Sequence, residues 1–225
     1  MPLAVLLLGP PALLFALITW QILTDGPLVR TDEHISHALL HPDRLSELLS
    51  DLGGVQIAVP VLAVAIGYVA WRGRSTGTHR WWLPPVAATV LMALVPALIV
   101  PLKEWTARHG TSVVPPGIGY YPSGHTATAA VAYGSATLLL LPWLRSPLVR
   151  RALVVTCGAL VLGVSFGLVR RGYHWPLDVV GSWCLCAVLL GALWLVLTAR
   201  ARSRRLTPSP SAPSAPSAPS ASAPS

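Results

Sequence analysis

Six long apolar runs, separated by short polar stretches that gather arginine, set the plan of this 225-residue chain. The first covers about 3–23 and is interrupted by Gly9-Pro10-Pro11; the next two cover about 52–71 and 81–102. The last three cover about 126–141, 152–169 and 179–198. Runs of this length cross a hydrocarbon layer as helices, because a helix satisfies its backbone polar groups within one segment. The first run has no basic leader and no small-residue cleavage site, which predicts a kinked anchor helix and not a cleaved signal peptide.

Residues 24–51 break the pattern. They are polar and lean acidic, yet Ile35, Leu39, Leu40, Leu45, Leu48 and Leu49 recur at roughly helical spacing around Pro42. One or two short amphipathic helices lying on the membrane surface fit that spacing. The expected fold is therefore all-α: an integral membrane bundle of six transmembrane helices over residues 1–205. From about Thr207 the chain turns into Pro, Ser and Ala without aromatic or branched apolar side chains, which predicts a disordered tail over 206–225.

Composition agrees with the runs. The chain is 53% hydrophobic and 11% charged, with mean hydropathy +0.62, values of a membrane protein. Its net charge of +8 reads as topology before it reads as affinity for nucleic acid, and no nucleic-acid partner is expected. Ten arginines lie at 72, 74, 80, 145, 150, 151, 200, 202, 204 and 205. The alternate loops, 24–51, 103–122 and 170–177, hold six basic residues, four of them in the stretches discussed next. Positive charge favours the cytoplasm, so both termini are expected inside the cell membrane and those three loops outside. Cys157, Cys184 and Cys186 all fall in apolar runs, without metal-ligand spacing or a disulfide pattern.

Those outer loops carry the chemistry. Pro122-Ser123-Gly124-His125 stands where a loop turns into the fourth run. Ser123 is a preferred N-cap, Gly124 bares a backbone amide in the first turn, and the helix N-terminus attracts anions. Upstream, Lys103 and Arg108 close the third run; downstream, Arg170-Arg171-Gly172-Tyr173-His174-Trp175-Pro176-Leu177-Asp178 opens the sixth. Pro176 suits a first helical turn, which puts His174 and Asp178 four apart at a helix start. Asp178 can then hold one ring nitrogen of His174 and free the other to attack phosphorus. His125 is left to protonate the leaving oxygen and then to activate water. His34, His37 and His41 could share one helix face, but no carboxylate or cysteine set accompanies them. Neither a metal nor a cofactor is called for.

The three stretches resemble the type 2 phosphatidic acid phosphatase and vanadium haloperoxidase superfamily, in its six-span bacterial lipid-phosphatase form. Its first motif is a lysine followed seven residues later by arginine-proline, matched by Lys103. Its second, Pro-Ser-Gly-His, is matched in full by residues 122–125, and His174 and Asp178 carry the spacing of its third. The resemblance covers about residues 20–198. It implies a metal-independent phosphatase acting on a lipid phosphate or polyprenyl diphosphate at the outer face, through a phosphohistidine on His174. His125 and Asp178 complete the catalytic set; Lys103, Arg108, Ser123, Gly124 and Arg170 would hold phosphate.

Two departures qualify this. The first-motif arginine falls on Gly110, and the Ser-Arg of the third falls on Gly167 and Leu168. Arg108 and Arg170 stand two residues away and either reach the same phosphate from shifted positions or leave the pocket short of cations. The alternative to an enzyme is a catalytically weak relative that binds phospholipid headgroups or serves a structural role. A transporter is disfavoured because the charges cluster at loop edges and not along span interiors.

Overall fold

The computed structural model describes residues 2–206; the expected disordered tail, from 207 on, lies outside them. Eight α-helices follow in order: α1 Pro2–Leu23, α2 Pro27–Leu39, α3 Arg44–Asp51, α4 Val55–Ser75, α5 Leu83–Thr106, α6 Gly124–Leu140, α7 Pro147–Arg170 and α8 Pro176–Leu206. A 3₁₀ turn, Leu141–Trp143, continues α6. The all-α membrane bundle expected from the apolar runs is the fold observed. Helices α1, α4, α5, α7 and α8 are each long and apolar enough to cross a membrane. Helix α6 is shorter, at 17 residues, and stands at the centre of the bundle.

The reason lies in its side chains. Twelve of the 17 residues of α6 are buried, among them Ala127, Ala129, Ala130, Ala132 and Ala136. Small side chains let neighbouring helices approach closely where the hydrophobic effect gives no drive for helices to associate. Gly134 shows how close: a Cβ there would come within 2.6 Å of Leu190 on α8. One face of α6 joins Ala58, Leu62, Ala65 and Val69 of α4 with Val164 and Leu168 of α7. The opposite face joins Leu91, Val95 and Ile99 of α5 with Cys186 and Leu193 of α8.

Residues 24–51 form the two short helices that their periodicity predicts. Helix α3 begins with a capping box: Asp43 accepts from the Ser46 amide at 2.7 Å, and Ser46 Oγ accepts from the Asp43 amide at 3.0 Å. It lies across α7 so tightly that a Cβ on Gly167 would meet the Ser46 carbonyl oxygen at 2.7 Å. Arg170 binds Asp43 at 3.0 Å, and Arg171 binds Glu47 at 3.2 Å. Helices α2 and α3, the loop 107–123 and the turn 171–175 therefore share one end of the bundle. At the other end, Arg72 of α4 sits 5.8 Å over the Trp143 ring.

Element boundaries run past the apolar runs wherever a cap allows it. Helix α7 starts at Pro147, not 152, because Ser146 accepts from the Val149 amide at 3.5 Å and carries Arg150 and Arg151 into the helix. Pro10 and Pro11 lie inside α1, which continues through them.

Candidate active site

The second motif forms the start of α6. Ser123 is its N-cap and accepts from the Thr126 amide at 3.4 Å. The same residue is stitched to α8: its amide donates to the Asp178 carbonyl at 3.1 Å, and Ser182 Oγ donates to the Ser123 carbonyl at 2.9 Å. Tyr121, just before it, is fully buried; its hydroxyl lies 2.9 Å from Thr19 Oγ1 and its ring stacks on Phe15. Burial pushes the Tyr121 phenol well above its ordinary range, which keeps it a neutral peg.

The third motif forms the start of α8. Gly172, at φ +70°, makes the turn out of α7, a conformation that suits glycine. Thr111 donates to the Gly172 carbonyl and Trp175 Nε1 to the His109 carbonyl, so the loop after α5 is bound to this turn. Asp178 reaches back to the Trp175 amide at 3.1 Å, half of a capping box, and the same oxygen meets His174 Nδ1 at 3.1 Å. An ionised carboxylate only accepts, which assigns the ring proton to Nδ1 and leaves Nε2 bare. His174 is 7% exposed and meets the Tyr120 ring edge-on at 6.3 Å.

Arg108 faces these groups from behind. One terminal nitrogen donates to Asp178 at 2.5 Å and the other to Asp32 of α2 at 2.6 Å. Its guanidinium also lies 5.7 Å over the Trp175 ring. Asp32 in turn accepts from the Leu177 amide at 2.8 Å. Burial works against the Arg108 charge, yet Asp178 and Asp32 outweigh it and raise its pKa. For Asp32 burial prevails and pushes the carboxyl up, against the pull of Arg108. Two carboxylates share a single guanidinium.

In front of the helix start lies a cavity of about 940 Å³ between α4, α5 and α6. Its walls are apolar, with Leu62, Ile66, Met92 and Ile99 among them, and Lys103, Gly124 and His125 line it as well. A Cβ on Gly124 would meet only Ile99, at 3.9 Å, so this glycine fronts open space. Lys103 and His174 both lie near enough to His125 to act on its charge.

The structure thus gathers Lys103, Ser123, Gly124, His125, His174 and Asp178 into one neighbourhood. It turns the two displaced arginines elsewhere: Arg108 toward its carboxylates, and Arg170 toward Asp43 and the Phe166 ring. The positions where the motifs place arginine are filled by packing. A Cβ on Gly110 would meet the Tyr120 ring at 2.7 Å, and Leu168 is 1% exposed within the core. Among the described residues, His34, His37 and His41 join no metal-binding group. Asp32 escaped the sequence reading, although its spacing from Val29 and Ser36 puts it on the buried stripe of α2, where a carboxylate needs a partner.

No curated protein matches the chain in sequence. A crystal structure described as that of the first transmembrane PAP2-type phosphatidylglycerolphosphate phosphatase from Bacillus subtilis is similar in fold. The TM-score is 0.70 at 22% identity, covering 89% of this chain and 98% of that one. The sequence profile of the PAP2 superfamily matches residues 84–202, from the start of α5 into α8 and across all three motif stretches. With the capped start of α6 and the His174–Asp178 pair in place, that match makes the chain a member of the PAP2 superfamily.

Proposed function

We propose that the protein is a lipid-phosphate phosphatase whose nucleophile is His174. The observation that carries this is the Asp178-held imidazole, its Nε2 free, beside a helix N-terminus and an apolar cavity. The phosphate sits against Lys103, the Ser123–Gly124 start of α6 and the dipole of that helix. The acyl or prenyl chain lies in the apolar cavity.

His174 Nε2 attacks phosphorus, the P–O bond to the lipid breaks, and His125 gives its proton to the departing oxygen. The charge on the imidazole ring is balanced by Asp178. His125, now neutral, takes a proton from water as the water attacks the phosphohistidine, releasing inorganic phosphate and restoring both histidines. The arginine asymmetry supports an outer-face site with both termini in the cytoplasm. Metal has no part in these steps.

A phosphate-release panel over phosphatidate, phosphatidylglycerol phosphate and a polyprenyl diphosphate, with chelator present, tests the reading. Release from at least one lipid is expected, abolished by His174→Gln. Activity that disappears with chelator and returns with magnesium overturns the histidine mechanism.

A second reading draws on one specific observation: positions 110 and 168 are packed shut, so phosphate is met by fewer cations than the family motifs provide. On that reading the protein binds lipid-phosphate headgroups and turns them over weakly. Vesicle binding without phosphate release would favour it.

A further inference from the structure

We propose that Asp32, on the surface helix α2, is a positioning residue for His174, acting through Arg108 and Asp178. The proposal rests on the phosphatase reading for its kinetic consequences and on geometry alone for its structural ones.

Four side chains from three parts of the chain stand in a line: Asp32 to Arg108 at 2.6 Å, Arg108 to Asp178 at 2.5 Å, Asp178 to His174 at 3.1 Å. All four are buried, with Asp32 2% and Asp178 0% exposed. A guanidinium is a rigid fork and keeps its orientation only if its prongs are held. The Arg108 Nε is buried without a hydrogen-bond partner, so two carboxylates and the Trp175 ring hold the group. Removing Asp32 frees one prong, and Arg108 can then pivot about its bond to Asp178. Asp178 aims the His174 ring, so the pivot reaches the nucleophile.

Charge points the same way. With His174 neutral and both carboxylates ionised, the four side chains carry one negative charge in excess. A ring that carries a phosphoryl group on Nε2 and a proton on Nδ1 is cationic and cancels it. Asp32 therefore favours the state reached during attack over the resting one, which is how a group raises turnover instead of binding. Asp32 and Arg108 are absent from the walls of the cavity that holds Lys103 and His125; Arg108 borders a separate recess of about 250 Å³ with Asp25 and His109. Both terminal nitrogens of Arg108 are engaged by carboxylates, which turns the pair toward α8 and not toward that cavity.

The test compares Asp32→Asn, Arg108→Gln and the double variant in full-length protein, using whichever lipid phosphate the wild type hydrolyses. Asp32→Asn should lower kcat by about tenfold or more and leave KM within about twofold. The double variant should lose no more than Arg108→Gln alone, within about threefold, because the two residues act in series. Unchanged kcat, a rise confined to KM, or losses that multiply would overturn the proposal. If Asp32→Asn does not fold, Arg108→Lys keeps the charge and removes the fork, and should give the same loss in kcat alone.

A readout independent of turnover separates this inference from the function it rests on. In ¹⁵N-histidine-labelled protein, the His174 signals are those missing from His174→Gln. They should show a single tautomer with its proton on Nδ1 in the wild type and a mixture in Asp32→Asn. An unchanged tautomer in the variant sinks the positioning role whether or not the protein releases phosphate.

Discussion

The backbone amide of Ser123 donates to the carbonyl oxygen of Asp178 at 3.1 Å, which locks the N-termini of α6 and α8 together. His125 follows on one helix and His174 precedes the other, so a main-chain bond helps fix the spacing of the two histidines. The first prediction separates aiming from packing at this junction. His174→Gln should abolish phosphate release, by about a thousandfold or more, and leave the thermal midpoint nearly unchanged. Asp178→Ala should abolish it and also destabilise the fold by roughly 1–3 kcal/mol, because Arg108 loses one of its two buried carboxylate partners and the Trp175 amide loses its acceptor. Equal stability of the two variants, read by thermal unfolding in detergent, would contradict the buried ion pair.

Two glycines offer a second contrast. Gly124→Ala meets only Ile99 at 3.9 Å, so stability should stay within about 0.5 kcal/mol. Its kcat/KM should fall by about tenfold, since on the proposed reading the added methyl stands where phosphate approaches the backbone. Gly181→Ala would place a methyl 2.5 Å from the buried Tyr121 ring and should cost about 1–3 kcal/mol. Unfolding curves and initial rates on both proteins decide it.

Restoring the motif arginines should fail. Gly110→Arg drives a side chain into Tyr120 and Val114, and Leu168→Arg puts a charge in the core between α6 and α7. The double variant is expected to lose several kcal/mol of stability and gain no activity. A folded, faster enzyme would show that these positions open onto the phosphate after all.

The helix plan and the motif positions were legible in the sequence because both are local. Apolar run lengths mark spans, and a Pro-Ser-Gly-His stretch or a histidine four residues before an aspartate marks a helix start. Where Arg108 points was not legible. Its partners, Asp32 and Asp178, lie 76 and 70 positions away, and nothing near residue 108 announces them. Nor does sequence show why position 167 is glycine: the cause is the backbone of α3 crossing α7 at that point. Motif spacing identifies which residues are present at a site, whereas packing decides which of them face the substrate.

Acid should weaken the α3 attachment in a defined direction. The Ser46 amide and hydroxyl, with Arg170 adding to them, hold the Asp43 carboxyl below its ordinary pKa. A depressed carboxylate contributes stability above its unfolded pKa, near 3.9, and loses it as pH falls through the lower folded value. Asp43→Asn keeps a capping side chain without the titration. Its stability should therefore change less than that of the wild type between neutral pH and about pH 3. Parallel pH dependences would remove Asp43 from the acid response.

Orientation is tested by labelling. With Cys157, Cys184 and Cys186 replaced, cysteines introduced at the exposed positions Ser112 and Ser75 lie at opposite ends of the bundle. An impermeant thiol reagent should label the first and not the second in intact cells. The reverse pattern would put the site in the cytoplasm.

Helix α6 also works as a ruler. Its 17 residues rise about 25 Å, and the 3₁₀ turn to Trp143 adds about 6 Å. A tryptophan settled at one lipid–water boundary therefore sets Gly124 about 31 Å away, close to the thickness of a hydrocarbon core of about 30 Å. On the proposed reading, in which Lys103 holds the phosphate, the two meet at the same depth only in a bilayer of matching thickness. Longer-chain host lipids lift the headgroups above the helix start, and shorter ones sink them below it. Turnover in vesicles of graded chain length should accordingly pass through a maximum, so the membrane itself becomes a determinant of rate.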